Sequence, residues 1–181
     1  MAADALTFYF DFTCPYSYIA WELLQRKRRQ QPFQMKLIGI GPNPPGNPGL
    51  LGRELWCDAR WAALHAIAEK LDFVINRPSV QASSQVALRG LDMYEGFGLT
   101  DYVSGVFKVL FRDNADISTS SELVEHLQAN GIDTVPLLSA LKEPETLNKV
   151  EDDALLWGHA RIRTIPTLEF GNERLAGLFD Q

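Results

Sequence analysis

The chain has 181 residues, 46% of them hydrophobic and 22% charged, the balance of a soluble globular protein with room for one sizeable core. Its net charge of −6 argues against a nucleic-acid surface, which calls for a basic face. No window approaches the ~18 uninterrupted apolar residues of a membrane span, so neither nucleic acid nor membrane is an expected partner.

The first ten residues, MAADALTFYF, lack a basic region and run straight into a strand, so a reducing cytoplasm is the expected location. Leu6 to Phe12 alternates, with Phe8, Phe10 and Phe12 on one face and Thr7, Tyr9 and Asp11 on the other. Pro15 follows, a residue favoured in the first turn of a helix, and a helix is predicted from Pro15 to about Gln30. Arg26-Lys27-Arg28-Arg29 would complement its C-terminal dipole. Phe33 to Ile40 reads as a second strand, completing a parallel β-α-β unit.

Residues 41–52, GPNPPGNPGLLG, hold four prolines and four glycines in twelve positions and must form a loop. Beyond it the pattern is helical for about a hundred residues. Helices are predicted over Arg53 to Leu71 and within Val80 to Tyr94. Thr100 or Asp101 is placed to cap a third, whose Val103, Val106, Phe107, Leu110 and Phe111 form one apolar face. Ser120 or Ser121 caps the next and Gly131 ends it. Pro144 opens a long last helix carrying Leu147, Val150, Leu155 and Ile162. TLEF and ERLA then flank Gly171-Asn172, a two-residue hairpin turn.

The two cysteines, Cys14 and Cys57, make no disulfide framework. His65, His126 and His159 have no ligand spacing, and no metal is expected. Cys14 falls where a strand meets a helix, facing unsatisfied N–H groups and the positive end of the dipole. Both favour thiolate, so its pKa is expected below the ~8.5 of a free thiol. Ser17, three residues on, can donate a hydrogen bond to the sulfur. The alternative is that Cys14 is a small buried hydrophobe. Cys57 reads as a buried inert thiol, or else as a resolving cysteine reaching Cys14. Trp56, Trp61 and Trp157 read as core, or else as the lining of an aromatic substrate pocket. Asp58 and Arg60 read as an exposed helical face.

FYFDFTCPYSYIA, NPP, ADIS and IRTIPTLEFGNERLAG, in that order, resemble the DsbA-like thioredoxin-fold superfamily. The nearer branch is that of kappa-class glutathione transferases and 2-hydroxychromene-2-carboxylate isomerases. The usual signature there is F-D-x-x-S-P-Y-S-Y. Pro15, Tyr16, Ser17 and Tyr18 match it, while Cys14 stands at the catalytic serine.

The resemblance implies an α/β thioredoxin fold with an all-helical insertion. Residues 1–41 and 158–181 would form a discontinuous thioredoxin-like domain, and 42–157 the loop and inserted helices. The chain ends at Gln181, before the last helix of such a fold, so that helix is expected to be missing. The resemblance further implies a cis Ile165-Pro166 bond, with Ile165 pairing strand-like with the glutathione peptide and Asn43 contacting glutathione. A lysine common after the asparagine loop is absent, Arg53 lying nearest. The branch's G-x-D stretch is here Gly177-Leu178-Phe179-Asp180.

The implied activity is that of a glutathione-dependent isomerase or transferase. Cys14 and Ser17 would be catalytic, glutathione the cosubstrate, and a small electrophilic molecule, aromatic or not, the second substrate; a homodimer is compatible with it. A monothiol thiol–disulfide oxidoreductase with Cys14 as nucleophile is the alternative, and a non-catalytic binding module on the same fold is a third.

Overall fold

The computed structural model describes residues 5–41, 57–159 and 162–177. Asn43, Arg53, Trp56, Asp180 and the side chains of Trp157 and His159 lie outside the described part. Within it, strand β1 (Leu6–Phe10) leads to helix α1 (Pro15–Gln30) and strand β2 (Met35–Gly39). Helices α2 (Asp58–Lys70), α3 (Gln85–Arg89), α4 (Gly96–Phe111), α5 (Ser120–Ala129), α6 (Val135–Ala140) and α7 (Pro144–His159) follow. The hairpin β3 (Thr167–Phe170) and β4 (Glu173–Ala176) comes last. No helix of the described residues is long and apolar enough to cross a membrane.

The sheet has the order β2-β1-β3-β4. β1 is therefore central, parallel to β2 with Phe8 opposite Leu37, and antiparallel to β3 with Phe8 opposite Leu168. The β3–β4 turn uses Gly171 at φ +58°, a left-handed conformation that glycine adopts without a Cβ clash.

The alternation of β1 sends Phe8 and Phe10 to one side, and Phe12 follows them beyond the strand; all three are fully buried. Phe8 and Phe10 stack at 5.1 Å, and Phe107 of α4 lies 5.1 Å from Phe12 and 5.5 Å from Tyr18 of α1. Trp21 Nε1 donates to Ser104 Oγ at 2.9 Å, a second tie between α1 and α4. One aromatic core thus joins sheet, α1 and the helical block. The opposite side of β1 differs from a solvent-facing strand: Tyr9 and Asp11 are buried as well.

Several helix bounds differ from the sequence expectation. α4 begins a turn before Thr100, because Leu99 packs on the core and the Thr100 hydroxyl instead accepts from Arg28 Nη1 at 3.3 Å. α5 is capped by Thr119 rather than Ser120 or Ser121. Thr119 Oγ1 accepts from Glu122 N–H and donates to Glu122 Oε2, so one hydroxyl ties the cap to both the backbone and the side chain of the third helical residue. The helix expected within Val80 to Tyr94 shrinks to α3 and a tight turn at Leu91–Met93. Tyr102 Oη donates to the Ala87 carbonyl at 2.6 Å and lies against Gly90, where any Cβ would clash with it. α7 stops at His159, so Ile162 is not on it, and Leu155 is half exposed.

Phe107 is the residue through which α4 holds the sheet. Phe107→Ala should lower unfolding free energy by about 3–5 kcal/mol, the usual loss for a buried aromatic ring. Thr119→Ala should cost about 1 kcal/mol. Urea denaturation followed by circular dichroism measures both, and equal losses would contradict this ranking.

Candidate functional site

After Phe10 the chain leaves the sheet, once Ile40 N–H has donated to the Phe10 carbonyl at 2.7 Å. Cys14 N–H then donates to the Asp11 carbonyl at 3.1 Å, closing a turn that places Cys14 immediately before α1. Its backbone is extended, and its carbonyl accepts from Tyr18 N–H at 3.2 Å, the first bond of the helix. Pro15 at the first helical position presets φ and gives up an N–H that the helix has no use for.

The Cys14 thiol is fully buried and points across the molecule, its Sγ 3.8 Å from the Ile165 carbonyl, to which it donates. The Ile165-Pro166 bond is cis. Thr167 Oγ1 donates to the Thr164 carbonyl at 2.7 Å and Gly177 N–H to the Pro166 carbonyl at 3.0 Å, fixing the segment on either side. Tyr9, Ile40, Ile162 and Ile165 pack round the sulfur as a small cluster separate from the main core. Ser17, also fully buried, accepts from Asp11 N–H at 3.4 Å.

Cys14, Ser17, Ile165 and Pro166 therefore come together at the N-terminus of α1, whereas Asn43 falls outside the described residues. The electrostatics differ from the sequence expectation. Burial pushes the Cys14 thiol up to about 11; the Ser17 hydroxyl and the N–H groups of Ser17 and Tyr16 pull the other way, and Asp11 adds to the rise. Losing water thus outweighs the helix end, and the thiol is protonated at neutral pH. Cys57 is corrected too: it is exposed and free at the start of α2, not buried in a helix. Trp61 is core, against Phe111, and Asp58 pairs with Arg77 at 2.6 Å on the surface.

Sequence reasoning missed two residues of the site. Asp11 is fully buried, its Oδ2 accepting from Thr13 Oγ1 at 2.7 Å. Burial raises its carboxyl to about 6, against the easing influence of Ser84 and Thr13. Ser84, the residue before α3, faces it without well-formed hydrogen-bond geometry, so Asp11 Oδ1 and Ser84 Oγ both lie buried without a partner among the described residues. A carboxylate three residues before the cysteine was the available signal for Asp11. Nothing local marks Ser84.

A family model described as a DSBA-like thioredoxin domain matches residues 5–181. No curated protein matches the chain. Among solved structures, a 2-hydroxychromene-2-carboxylate isomerase superposes with a TM-score of 0.80 at 17% identity, over 96% of this chain and 88% of that one. A probable DsbA oxidoreductase from Streptomyces coelicolor gives 0.75 at 14%, over 96% and 83%. The cytosolic disulfide reductase DsbM from Pseudomonas aeruginosa, solved with GSH, gives 0.66 at 14%, over 94% and 88%. At such identities the likeness is one of fold.

Two measurements test this electrostatic picture. Iodoacetamide at pH 7.5 should label exposed Cys57 first and Cys14 only on unfolding; mass spectrometry of timed samples distinguishes them. Because the folded Asp11 carboxyl holds its proton more tightly than the ordinary 3.8 allows, its contribution to stability is full below pH 3.8 and is lost as pH rises through about 6. Asp11→Asn should therefore stabilise by about 3 kcal/mol at pH 7.5 and only about 1 kcal/mol at pH 4.5. Equal gains at the two pH values would mean that Asp11 is not buried as described.

Proposed function

The chain belongs to the DSBA-like thioredoxin family, and we propose that within it the protein is a glutathione-dependent enzyme acting on an electrophilic small molecule, as isomerase or transferase. The observation that carries this reading is the buried Cys14 thiol directed at the Ile165 carbonyl beside a cis proline. A thiol held protonated is a poor nucleophile but a usable hydrogen-bond donor. When glutathione lies along the Ile165 backbone, the side chains covering the sulfur give way and Cys14 turns its S–H from that carbonyl to the glutathione sulfur. Ser17 adds a hydroxyl from the first turn of the same helix.

Both donors favour the glutathione thiolate. That thiolate adds to an electrophilic carbon, forming a C–S bond while an electron pair moves into the conjugated system. In an isomerase the former carbon–carbon double bond, now single, rotates, and the pair returns to restore it and expels the thiolate unchanged. In a transferase the adduct either takes a proton or expels a leaving group, such as the chloride of an activated aryl chloride, and the conjugate departs. Asn43 is proposed to contact glutathione, as the family resemblance implies.

The fold likeness to a 2-hydroxychromene-2-carboxylate isomerase is consistent with this reading, while that to DsbM keeps thiol–disulfide exchange as the rival. The substitution Cys14→Ser separates them. A serine still donates a hydrogen bond to a thiolate, so glutathione-dependent transferase activity on 1-chloro-2,4-dinitrobenzene should survive within about tenfold, or ~1.4 kcal/mol of barrier. Reduction of a glutathione mixed disulfide needs a sulfur nucleophile and should vanish. Loss of transferase activity in Cys14→Ser, with the fold intact by circular dichroism, would make Cys14 the covalent nucleophile and favour the oxidoreductase.

A further inference from the structure

A cavity of about 700 Å³ opens between the start of α3 and the C-terminal half of α7. Its walls are Gly41, Ser83, Ser84, Gln85 and Leu88 on one side and residues 150–155 of α7 on the other, Asp153 excepted. The volume suits a small organic molecule. It adjoins the thiol site twice: Gly41 follows Ile40, which packs on Cys14, and Ser84 faces Asp11, three residues before Cys14.

The lining sorts into three parts. Leu88, Val150, Ala154 and Leu155 give an apolar body. The inner end is the Ser84 hydroxyl, buried and without a partner among the described residues, with the Asp11 carboxyl behind it. The rim carries Glu151 and Asp152, both exposed. The charged groups among the described lining residues are thus carboxylates alone. Among the described residues, two nearby cations face elsewhere. Arg89 is taken by Thr146 and the Ala140 and Glu143 carbonyls, and Lys149 by Asp153 and Asp92. An anion entering here would meet like charge at the rim and a buried carboxyl at the inner end. A cation would meet opposite charge at both, within low-dielectric walls that concentrate the field.

We propose that this cavity binds a small molecule with an apolar, ring-sized body and a protonated amine, and that electrophiles built on such a body and amine are the class of second substrate presented to the thiol site. The second clause rests on the glutathione reading above; the selectivity of the cavity does not. Glu151 and Asp152 are the specificity-determining residues, drawing the amine in, and the Ser84 hydroxyl oxygen accepts a hydrogen bond from the ammonium at the inner end.

The test is calorimetric titration of the full chain at pH 7.5 with 2-phenylethylamine and with 3-phenylpropanoate, which share a phenylethyl body and differ in the charge of the head group. The amine should bind at least tenfold more tightly, and in E151Q/D152N, at two exposed positions where folding is undisturbed, the preference should fall below threefold. Equal or tighter binding of the carboxylate, no binding of either probe, or a preference that survives in E151Q/D152N overturns the proposal. Titration of the same protein with glutathione keeps the two readings apart. Amine selectivity without glutathione binding sinks the thiol-site reading and leaves the cavity's selectivity standing. Glutathione binding without amine selectivity does the reverse.

Discussion

The Cys14 thiol meets the Ile165 carbonyl at 3.8 Å, joining residues 151 positions apart, and the chemistry of the site depends on that meeting. It follows from the central place of β1. A strand paired with β2 on one side and β3 on the other has its C-terminal turn flanked by the end of β2 and the entry to β3. Ile40, Cys14 and Ile165 therefore converge whatever the helical block does in between. Ile162 and Tyr9 close the group from below and exclude water from the sulfur.

Exclusion of water decides what the thiol can be. A cysteine before the first turn of a helix is favoured as thiolate by a few partial charges. Moving that thiolate out of water opposes it more strongly, and the thiol rises to about 11. Asp11 is subject to the same physics, its carboxyl raised to about 6 by burial. Both acids keep their protons to higher pH here than they would on a surface. A thiol of this kind suits hydrogen-bond donation to a bound thiolate better than attack on a disulfide.

The helical block takes its position from the aromatic face of the same strand. Phe8, Phe10 and Phe12 project towards Phe107, which also touches Tyr18 and Phe111. α1, which carries the thiol at its start, is thereby clamped between sheet and α4. Gly105 of α4 lies where a Cβ would strike the Ile132 side chain, so α5 and its following turn pack as closely as a glycine permits. Ser84, at the start of α3, is brought to Asp11 by this packing.

Local features of the sequence were legible because local sterics produce them. Pro15 starts α1 where expected, Gly171 turns the hairpin, Gly131 ends α5 at φ +75°, and the alternation of Phe8 and Phe10 marks the core face of β1. The family resemblance, resting on the order of several motifs, placed the fold and the cis bond before Pro166. Burial was not legible. The alternation set Asp11 and Tyr9 on the second face of the strand without showing that this face is enclosed, and Cys57 read as a core thiol although it is exposed. The length of α3 likewise depended on Tyr102, a residue far along the chain that takes the Ala87 carbonyl. The sequence by itself determined which backbone conformations were open to each segment, since those depend on a residue and its near neighbours. Only the tertiary structure decided which groups lose water, because desolvation depends on atoms that distant segments bring together.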